Sequence, residues 1–320
     1  MTEMRYTTLG RTGLKVSIMG LGASNNFGAL TGDRKSQAEA VVNTAFENGI
    51  NLIDTASMYN SSEETLGTLL KSRMRESYVL NSKYFPVTES GQAIPVVEVR
   101  QSVERSLKLL GTNYLDVLQI HGVRPESYRA VIDQHLDALR SLQVEGKFRF
   151  LGITETIRFD PRHEMLPMAL EDDLFDTVMV AYSLLSPDLE IEILPQCQKK
   201  NVGVIGMTAV RNALSNNDFL EILIKKAKAE GRIGQDTLPD LNPLELLMDE
   251  GIPTLATAGY SYVLAEPAVK TVLSGTTNPE HLVENIQSAV AESLSEEKRR
   301  RLQSIFRTPP IYEPWSTYDL

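Results

Sequence analysis

The segment VEVRQSVERSLKLLGTNYLDVLQIH, residues 97–121, contains one complete structural repeat of the chain. Its first half carries Val99, Val103, Leu107 and Leu110 at three- and four-residue spacing, which lays one apolar face along a helix. Gly111 follows, the residue that most readily takes the left-handed conformation at a helix end. Residues 114–121 then form a short, mostly apolar run that ends on His121, the pattern of a buried strand with a polar tip. The same order recurs on both sides. Ala38, Val41, Val42, Ala45 and Phe46 make a helical face ahead of Gly49, and Gly146 precedes another apolar run. Strands are predicted at 17–21, 51–56, 78–83, 114–121, 148–154, 177–182, 203–208 and 271–276, with helical segments between them. Parallel strands joined by crossover helices are what this rhythm dictates. Eight such units without a linker-like break in composition predict an α/β fold, one (β/α)8 TIM barrel occupying residues 1–320 as a single domain.

Two pieces stand outside the repeat. Residues 6–16 surround Gly10 and Gly13 and read as a β-hairpin that plugs the N-terminal mouth of the barrel. Residues 307–320 contain Pro309, Pro310, Pro314 and Trp315, so an irregular C-terminal tail is expected. The chain has 320 residues, 42% of them hydrophobic and 23% charged, which excludes disordered and fibrous classes. Its formal net charge of -10 repels polyanions, so neither nucleic acid nor an anionic membrane surface is an expected partner. The run at 296–301, two glutamates followed by four cations, reads as the solvated face of a final helix. One cysteine, Cys197, leaves no internal disulfide and reads as a small buried hydrophobe. His135 and His163 have no second ligand at metal spacing, so no metal site is predicted. Without an apolar leader or spanning segment, the expectation is a cytoplasmic protein, monomeric or weakly homo-oligomeric. Gly20-Leu21-Gly22 lacks the third glycine and the following helix of a dinucleotide fingerprint, and reads as a turn at the barrel rim.

In a barrel of this kind the chemistry gathers where strands run into the loops that follow them. Asp54 ends the second predicted strand and Tyr59 lies just beyond it. Lys83 ends the third and His121 the fourth. A carboxylate, a phenol, an ammonium and an imidazole on adjacent strand ends form an acid–base cluster. A lysine cation beside Tyr59 is expected to lower the phenol from its usual value near 10. An aspartate partner would hold that lysine charged and in place. Tyr59 then becomes a proton donor toward a carbonyl oxygen, with His121 orienting that oxygen. Lys83 as a Schiff-base nucleophile is the competing chemistry, and its pairing with Asp54 argues against it.

The words around these residues add a resemblance. Residues 49–59, 62–67, 106–121, 146–153 and 278–285, with the opening 9–16, resemble the aldo-keto reductase superfamily in the family's own order. The resemblance implies a (β/α)8 barrel that reduces aldehydes and ketones with NADP(H) or NAD(H), without metal. It implies Asp54, Tyr59, Lys83 and His121 as the catalytic tetrad, with Tyr59 the general acid. For the cofactor it implies Gly22, Ala23 and Asp54, then Thr154 and Glu155 where the family has Ser-Asn. Met179 stands where the family has Gln. After the seventh strand it implies Met207, Thr208, Ala209, Val210 and Arg211, with Arg211 the candidate for the pyrophosphate. In the last loop and helix it implies Gly275, Thr276, Thr277, His281, Glu284 and Asn285. Gly275 and His281 occupy the positions of the family's Lys and Arg that clamp a 2′-phosphate, which leaves NADPH no evident advantage over NADH.

Asn25, Phe27, Met58, Tyr84, Phe85 and Trp315 are the expected substrate pocket, an apolar and partly aromatic wall. That wall suits an aryl, aliphatic or other hydrophobic carbonyl, with alcohols and sugars as substrates of the reverse reaction. The alternative function is a nicotinamide-cofactor-binding regulatory or sensor protein with little turnover.

Overall fold

The computed structural model describes residues 3–249 and 251–307. A two-stranded antiparallel hairpin, β1 (Tyr6–Thr8) and β2 (Lys15–Ser17), precedes eight parallel strands that close on themselves. These are β3 (Met19–Gly22), β4 (Leu52–Asp54), β5 (Val79–Tyr84), β6 (Leu115–Ile120), β7 (Phe148–Thr154), β8 (Thr177–Ala181), β9 (Gly203–Met207) and β10 (Val269–Ser274). Consecutive strands are neighbours, and β10 pairs with both β9 and β3 to complete the barrel. The helices are α1 (Asn25–Gly28), α2 (Lys35–Glu47), α3 (Ser62–Leu70), α4 (Val96–Leu110), α5 (Pro125–Val144), α6 (Met165–Asp172), α7 (Ile193–Lys199), α8 (Asn217–Ala229), α9 (Leu255–Leu264), α10 (Pro279–Val290) and α11 (Glu296–Phe306). No helix among the described residues is long and apolar enough to cross a membrane.

The periodicity that predicted these helices is the periodicity that buries them. Val99, Val103, Leu107 and Leu110 of α4 are all buried, and Gly111 ends that helix at φ +65°. Some predicted strand ends move. The last strand starts at Val269 and ends at Ser274, two residues earlier than its predicted span. Gly275 and Thr276 are thereby left outside the ladder, as loop residues able to face a ligand.

The hairpin is the predicted plug. Leu9, Leu14 and Val16 join Leu52, Val79, Val117, Met179 and Ile205 in one apolar cluster inside the barrel. Burying each such side chain contributes roughly 1.5–3 kcal/mol. Gly10 sits at φ +51°, and a Cβ there would lie 2.3 Å from the amide nitrogen of Gly203, so only glycine lets the turn press against β9. The Arg11 guanidinium ties the same turn to the Asp173 carboxylate (2.8 Å) and the Phe175 carbonyl (2.6 Å). The expected irregular tail, Trp315 included, lies outside the described residues apart from Arg307.

Candidate active site

Strand alternation assembles most of the site. Successive side chains on a strand point to opposite faces, so a residue two positions beyond an interior one is also interior. Leu52, Val79 and Val117 belong to the cluster inside the barrel. Asp54 therefore points inward at the end of β4, Lys83 at the end of β5 and His121 just beyond β6. Tyr59 comes from a loop, whose turn is fixed by Tyr59 N–H donating to the Ala56 carbonyl (3.1 Å) and Ser62 N–H donating to the Tyr59 carbonyl (2.9 Å). Gly28 makes room for that loop, since a Cβ there would lie 2.2 Å from the Tyr59 carbonyl oxygen.

The four side chains meet. The Lys83 ammonium donates to Asp54 Oδ1 at 2.6 Å and to the Thr55 carbonyl at 2.7 Å, and both partners of the ion pair are buried. Asn81, also inward-facing on β5, donates to the same Asp54 oxygen. Lys83 Nζ lies 5.2 Å from the centre of the Tyr59 ring. The Tyr59 hydroxyl is 3.4 Å from His121 Nε2, and the two rings meet edge to face.

Electrostatics corrects one expectation. The Tyr59 phenol is raised above its usual value, not lowered, because burial outweighs the attraction of Lys83 and Asp54 adds to the rise. The phenol keeps its proton at rest, and the ammonium stabilises the phenolate formed when the proton leaves. Burial, with the like charge of Lys83, pushes His121 down to about 3. His121 is thus a neutral imidazole at physiological pH, able to hydrogen-bond but not to carry charge. Burial likewise raises the Asp54 carboxyl, against the pull of Lys83 and Asn81.

Asp54 and Tyr59 line a cavity of about 1250 Å³. Its walls include Gly22, Asn25, Met207, Thr208, Ala209, Val210, Arg211, Gly275, Thr276, His281, Glu284 and Asn285, all expected from the sequence. Met179, Met207 and Leu273 make its inner floor apolar. Thr208 and Arg211 adopt left-handed φ of +65° and +46°, so the loop after β9 carries backbone strain where it borders the cavity. The outer wall runs along α9 and α10 through Thr254, Thr257, Tyr260, Gln287 and Ser288, which the sequence reading did not single out. Helix α9 falls between predicted strands seven and eight, where a helical segment is expected.

Other expected residues are elsewhere. Glu155 follows interior Thr154, and the alternation of β7 carries it to the outer face. There it receives a proton-mediated contact from His163 Nδ1 and accepts the Ala181 amide at 2.6 Å. The Thr154 hydroxyl accepts from Gly122 N–H at 2.7 Å, and neither residue borders the cavity. Ala23 is fully buried, its amide bound to the Asp54 carbonyl at 2.8 Å. Thr277 and Phe27 line a smaller adjoining cavity of about 210 Å³, so Phe27 lies on the side of Gly275 and not beside His121. Tyr84 alternates with Lys83, points outward and is buried, its hydroxyl 3.1 Å from His135 Nδ1. His135 also meets the Ile94 carbonyl through Nε2, which makes it a core histidine. Met58 and Phe85 are exposed and do not line the cavity, though Phe85 stands edge-on to His121 with ring centres 6.2 Å apart.

Barrel and rim together define a class: a (β/α)8 scaffold with its acid–base side chains at the carboxyl ends of the strands. Within that class the chain belongs to the aldo/keto reductase family, whose sequence model matches residues 18–307. It is 29% identical over 310 residues to an uncharacterized oxidoreductase of Bacillus subtilis (strain 168), a match covering 94% of this chain and 96% of that one. It is 27% identical over 310 residues to an NADH-specific methylglyoxal reductase of Escherichia coli (strain K12), covering 88% and 93%, respectively. An L-galactose dehydrogenase of Arabidopsis thaliana is 33% identical over 230 residues, covering 67% of this chain and 68% of that one. Among solved structures, the holo form of an aldo-keto reductase from Bacillus halodurans superposes with TM-score 0.73 at 27% identity, covering 97% of this chain and 99% of that one.

Proposed function

We propose that this chain is an NAD(P)(H)-dependent oxidoreductase that reduces aldehydes and ketones to alcohols, or oxidises an alcohol or sugar in reverse. The observation that carries the reading is the Tyr59 phenol, set between the Lys83–Asp54 pair and a neutral His121 and lining a cavity of about 1250 Å³. Gly22, the 207–211 loop and residues 275–285 would hold the cofactor. Bound there, a reduced nicotinamide supplies a hydride to the carbonyl carbon.

The chain's own share is proton transfer and positioning. His121 Nε2 and the Tyr59 hydroxyl converge on one point, where a carbonyl oxygen would be gripped. Tyr59 releases its proton to that oxygen as negative charge builds on it, and Lys83 offsets the charge left on the phenolate. Asp54 and the Thr55 carbonyl hold the ammonium in position for this. In reverse, the phenolate takes the proton from an alcohol.

The relatives' names cover both directions, one a dehydrogenase of L-galactose and one an NADH-specific reductase. The cavity wall includes one guanidinium, Arg211, and no lysine among the described residues, while Glu284 adds an acid beside Gly275 and His281. A 2′-phosphate would meet that carboxylate without a cationic clamp, so we expect NADH to bind at least as well as NADPH. Calorimetric titration with each cofactor, followed by an aldehyde panel read at the nicotinamide absorbance, tests the proposal. Saturable binding with turnover is expected. Binding without turnover of any carbonyl, alcohol or sugar would favour the sensor reading, and failure to bind either cofactor would overturn both.

A further inference from the structure

Beneath the acid–base cluster, the barrel interior carries polar side chains that the reaction described above leaves unused. Gln119 lies two residues before His121, on the same inward face of β6, and is fully buried. Neither its amide oxygen nor its amide nitrogen has a hydrogen-bond partner among the described residues. The same holds for the Thr177 hydroxyl and for His121 Nδ1. Thr177 precedes interior Met179 by two residues on β8, so it too faces inward. Buried amides and hydroxyls are nearly always hydrogen-bonded, because each gives up water on entering the core. Three unpartnered groups inside one barrel therefore require an account.

Register brings the side chains into one row. Gln119 is opposite Lys83 of β5 and Gly152 of β7, and Gly152 is opposite Thr177. A Cβ at Gly152 would lie 2.8 Å from Gln119 Cγ and 2.3 Å from Thr177 Oγ1. Both side chains thus reach over the glycine, whose missing side chain leaves them room. One step deeper on β6, Val117 belongs to the apolar cluster of the plug. Polar partners for the Gln119 amide are accordingly found in its own row or toward His121.

His121 needs what Gln119 has to give. A neutral imidazole carries one N–H, and the hydrogen bond made by one nitrogen decides which of the two holds it. Gripping a carbonyl oxygen together with the Tyr59 hydroxyl takes an N–H on Nε2, since a lone pair there would repel the oxygen. Nδ1 must then accept from a donor inside the barrel. Asn81 and Lys83 donate to Asp54, whereas the Gln119 amide nitrogen has neither N–H engaged among the described residues. Residues two apart on a strand are separated by roughly 6.6 Å. One water, making two hydrogen bonds of about 2.8 Å each, spans side chains at that separation.

We propose that Gln119 is a positioning residue for His121: through one buried water its amide donates toward Nδ1 and fixes the tautomer that carries the proton on Nε2. The consequence for rate rests on the oxidoreductase reading above, whereas the tautomer does not. The test is nitrogen NMR of the His121 ring in wild type, Gln119→Met and Gln119→Asn, beside steady-state kinetics on the aldehyde panel. Wild type should show a protonated Nε2 and a hydrogen-bonded, unprotonated Nδ1. Gln119→Met keeps the side chain's length without its donors, so the ring should lose that preference and populate both tautomers. Its kcat should fall by about tenfold, the factor carried by one ordinary hydrogen bond, with cofactor affinity within about twofold of wild type. Gln119→Asn retains the donor on a shorter stem and should restore the wild-type tautomer and most of kcat.

A wild-type His121 protonated on Nδ1 would overturn the proposal, and that measurement needs no variant. So would a folded Gln119→Met that leaves both ring nitrogens unchanged, or a high-resolution crystal structure of wild type with no water between Gln119 Nε2 and His121 Nδ1. A tautomer that shifts in Gln119→Met, in a protein that turns over no member of the panel, would uphold the positioning and reject the oxidoreductase reading instead.

Discussion

Two buried acid–histidine–cation environments stand at the carboxyl ends of the barrel strands, and their histidines are driven in opposite directions. At the end of β6, His121 faces Lys83 and the Tyr59 hydroxyl and is pushed down to about 3 by burial and a like charge. Beyond β7, His163 is buried, yet it rises to about 10 because Glu155 and Asp188 together outweigh the burial that would lower it. Desolvation pushes both imidazoles down; at His121 it is the larger cause and Lys83 adds to it, whereas at His163 two carboxylates overcome it. In the first cluster the carboxylate is spent on the lysine, which leaves a neutral imidazole beside a proton donor. In the second the carboxylate meets the imidazole directly, and the result is a closed ion pair with Glu155 fully buried and no opening to the cavity. The first arrangement suits reactivity and the second suits rigidity.

Breaking the first cluster should cost rate. Tyr59→Phe is expected to lower kcat by about a thousandfold or more, at the upper range for general acid catalysis, while cofactor affinity and thermal midpoint stay near wild type. Steady-state kinetics beside a calorimetric titration checks this. Turnover close to wild type would remove Tyr59 from the proton-donor role. Breaking the second should cost stability. Glu155→Gln leaves a buried cation at His163 short of its main partner, so unfolding free energy should fall by about 3–5 kcal/mol, the usual penalty for opening a buried pair. Urea denaturation measures it, and the folded fraction should keep kcat within about threefold. A large loss of kcat in folded Glu155→Gln would mean that Glu155 belongs to the reaction after all.

The two histidines also predict opposite pH linkages. His163 is raised above an unfolded value near 6.5. Its contribution is therefore complete below about pH 6.5 and is lost as pH rises through about 10. His121 is depressed, so its neutral burial contributes above about pH 6.5 and is lost progressively as pH falls toward 3. The stability gap between wild type and His163→Gln should accordingly be widest at pH 6 and narrow by pH 10. A gap that widens toward alkaline pH would reverse the assigned charge of His163.

The contrast between the clusters also marks how far the chain could be read directly. Strand alternation, legible in residues 52–54, 79–83 and 117–121, was enough to bring Asp54, Lys83 and His121 to one interior rim. The same alternation sends Tyr84 and Glu155 outward. Adjacency in sequence and family position point both toward the site, and the two-residue period overrides them. Asn81 escaped notice although it lies two residues before Lys83 on the same inner face. Its role depends on the neighbouring strand's Asp54, which only the register supplies. His163 was beyond reach for another reason. It sits in a loop at φ +56°, and its partners Glu155 and Asp188 come from different βα loops. The hub at Glu190 is a case of the same kind. It gathers Tyr262, Arg299, Gln303 and Arg307 from the last third of the chain, and no local pattern announces it.

The smallest effect is the sharpest test of why the histidines differ, because each cluster can be altered at its charge while its burial is kept. In wild type, nitrogen-detected NMR should report His121 as a neutral ring and His163 as an imidazolium across pH 6 to 8. Lys83→Met removes the like charge beside His121 but leaves burial, the larger cause of its depression. His121 should therefore remain neutral at pH 6, with its titration moved upward by only about one unit, equivalent to roughly 1.4 kcal/mol. Glu155→Gln removes the largest of the influences that raise His163 and leaves Asp188 to oppose burial alone. His163 should then drop farther than His121 climbs, and begin to lose its proton within the range where wild type holds it. If instead Lys83→Met renders His121 charged at pH 6, the neighbouring cation and not burial keeps that imidazole neutral. The ammonium would then set the protonation of both Tyr59 and His121, and the two clusters would differ in one charge alone.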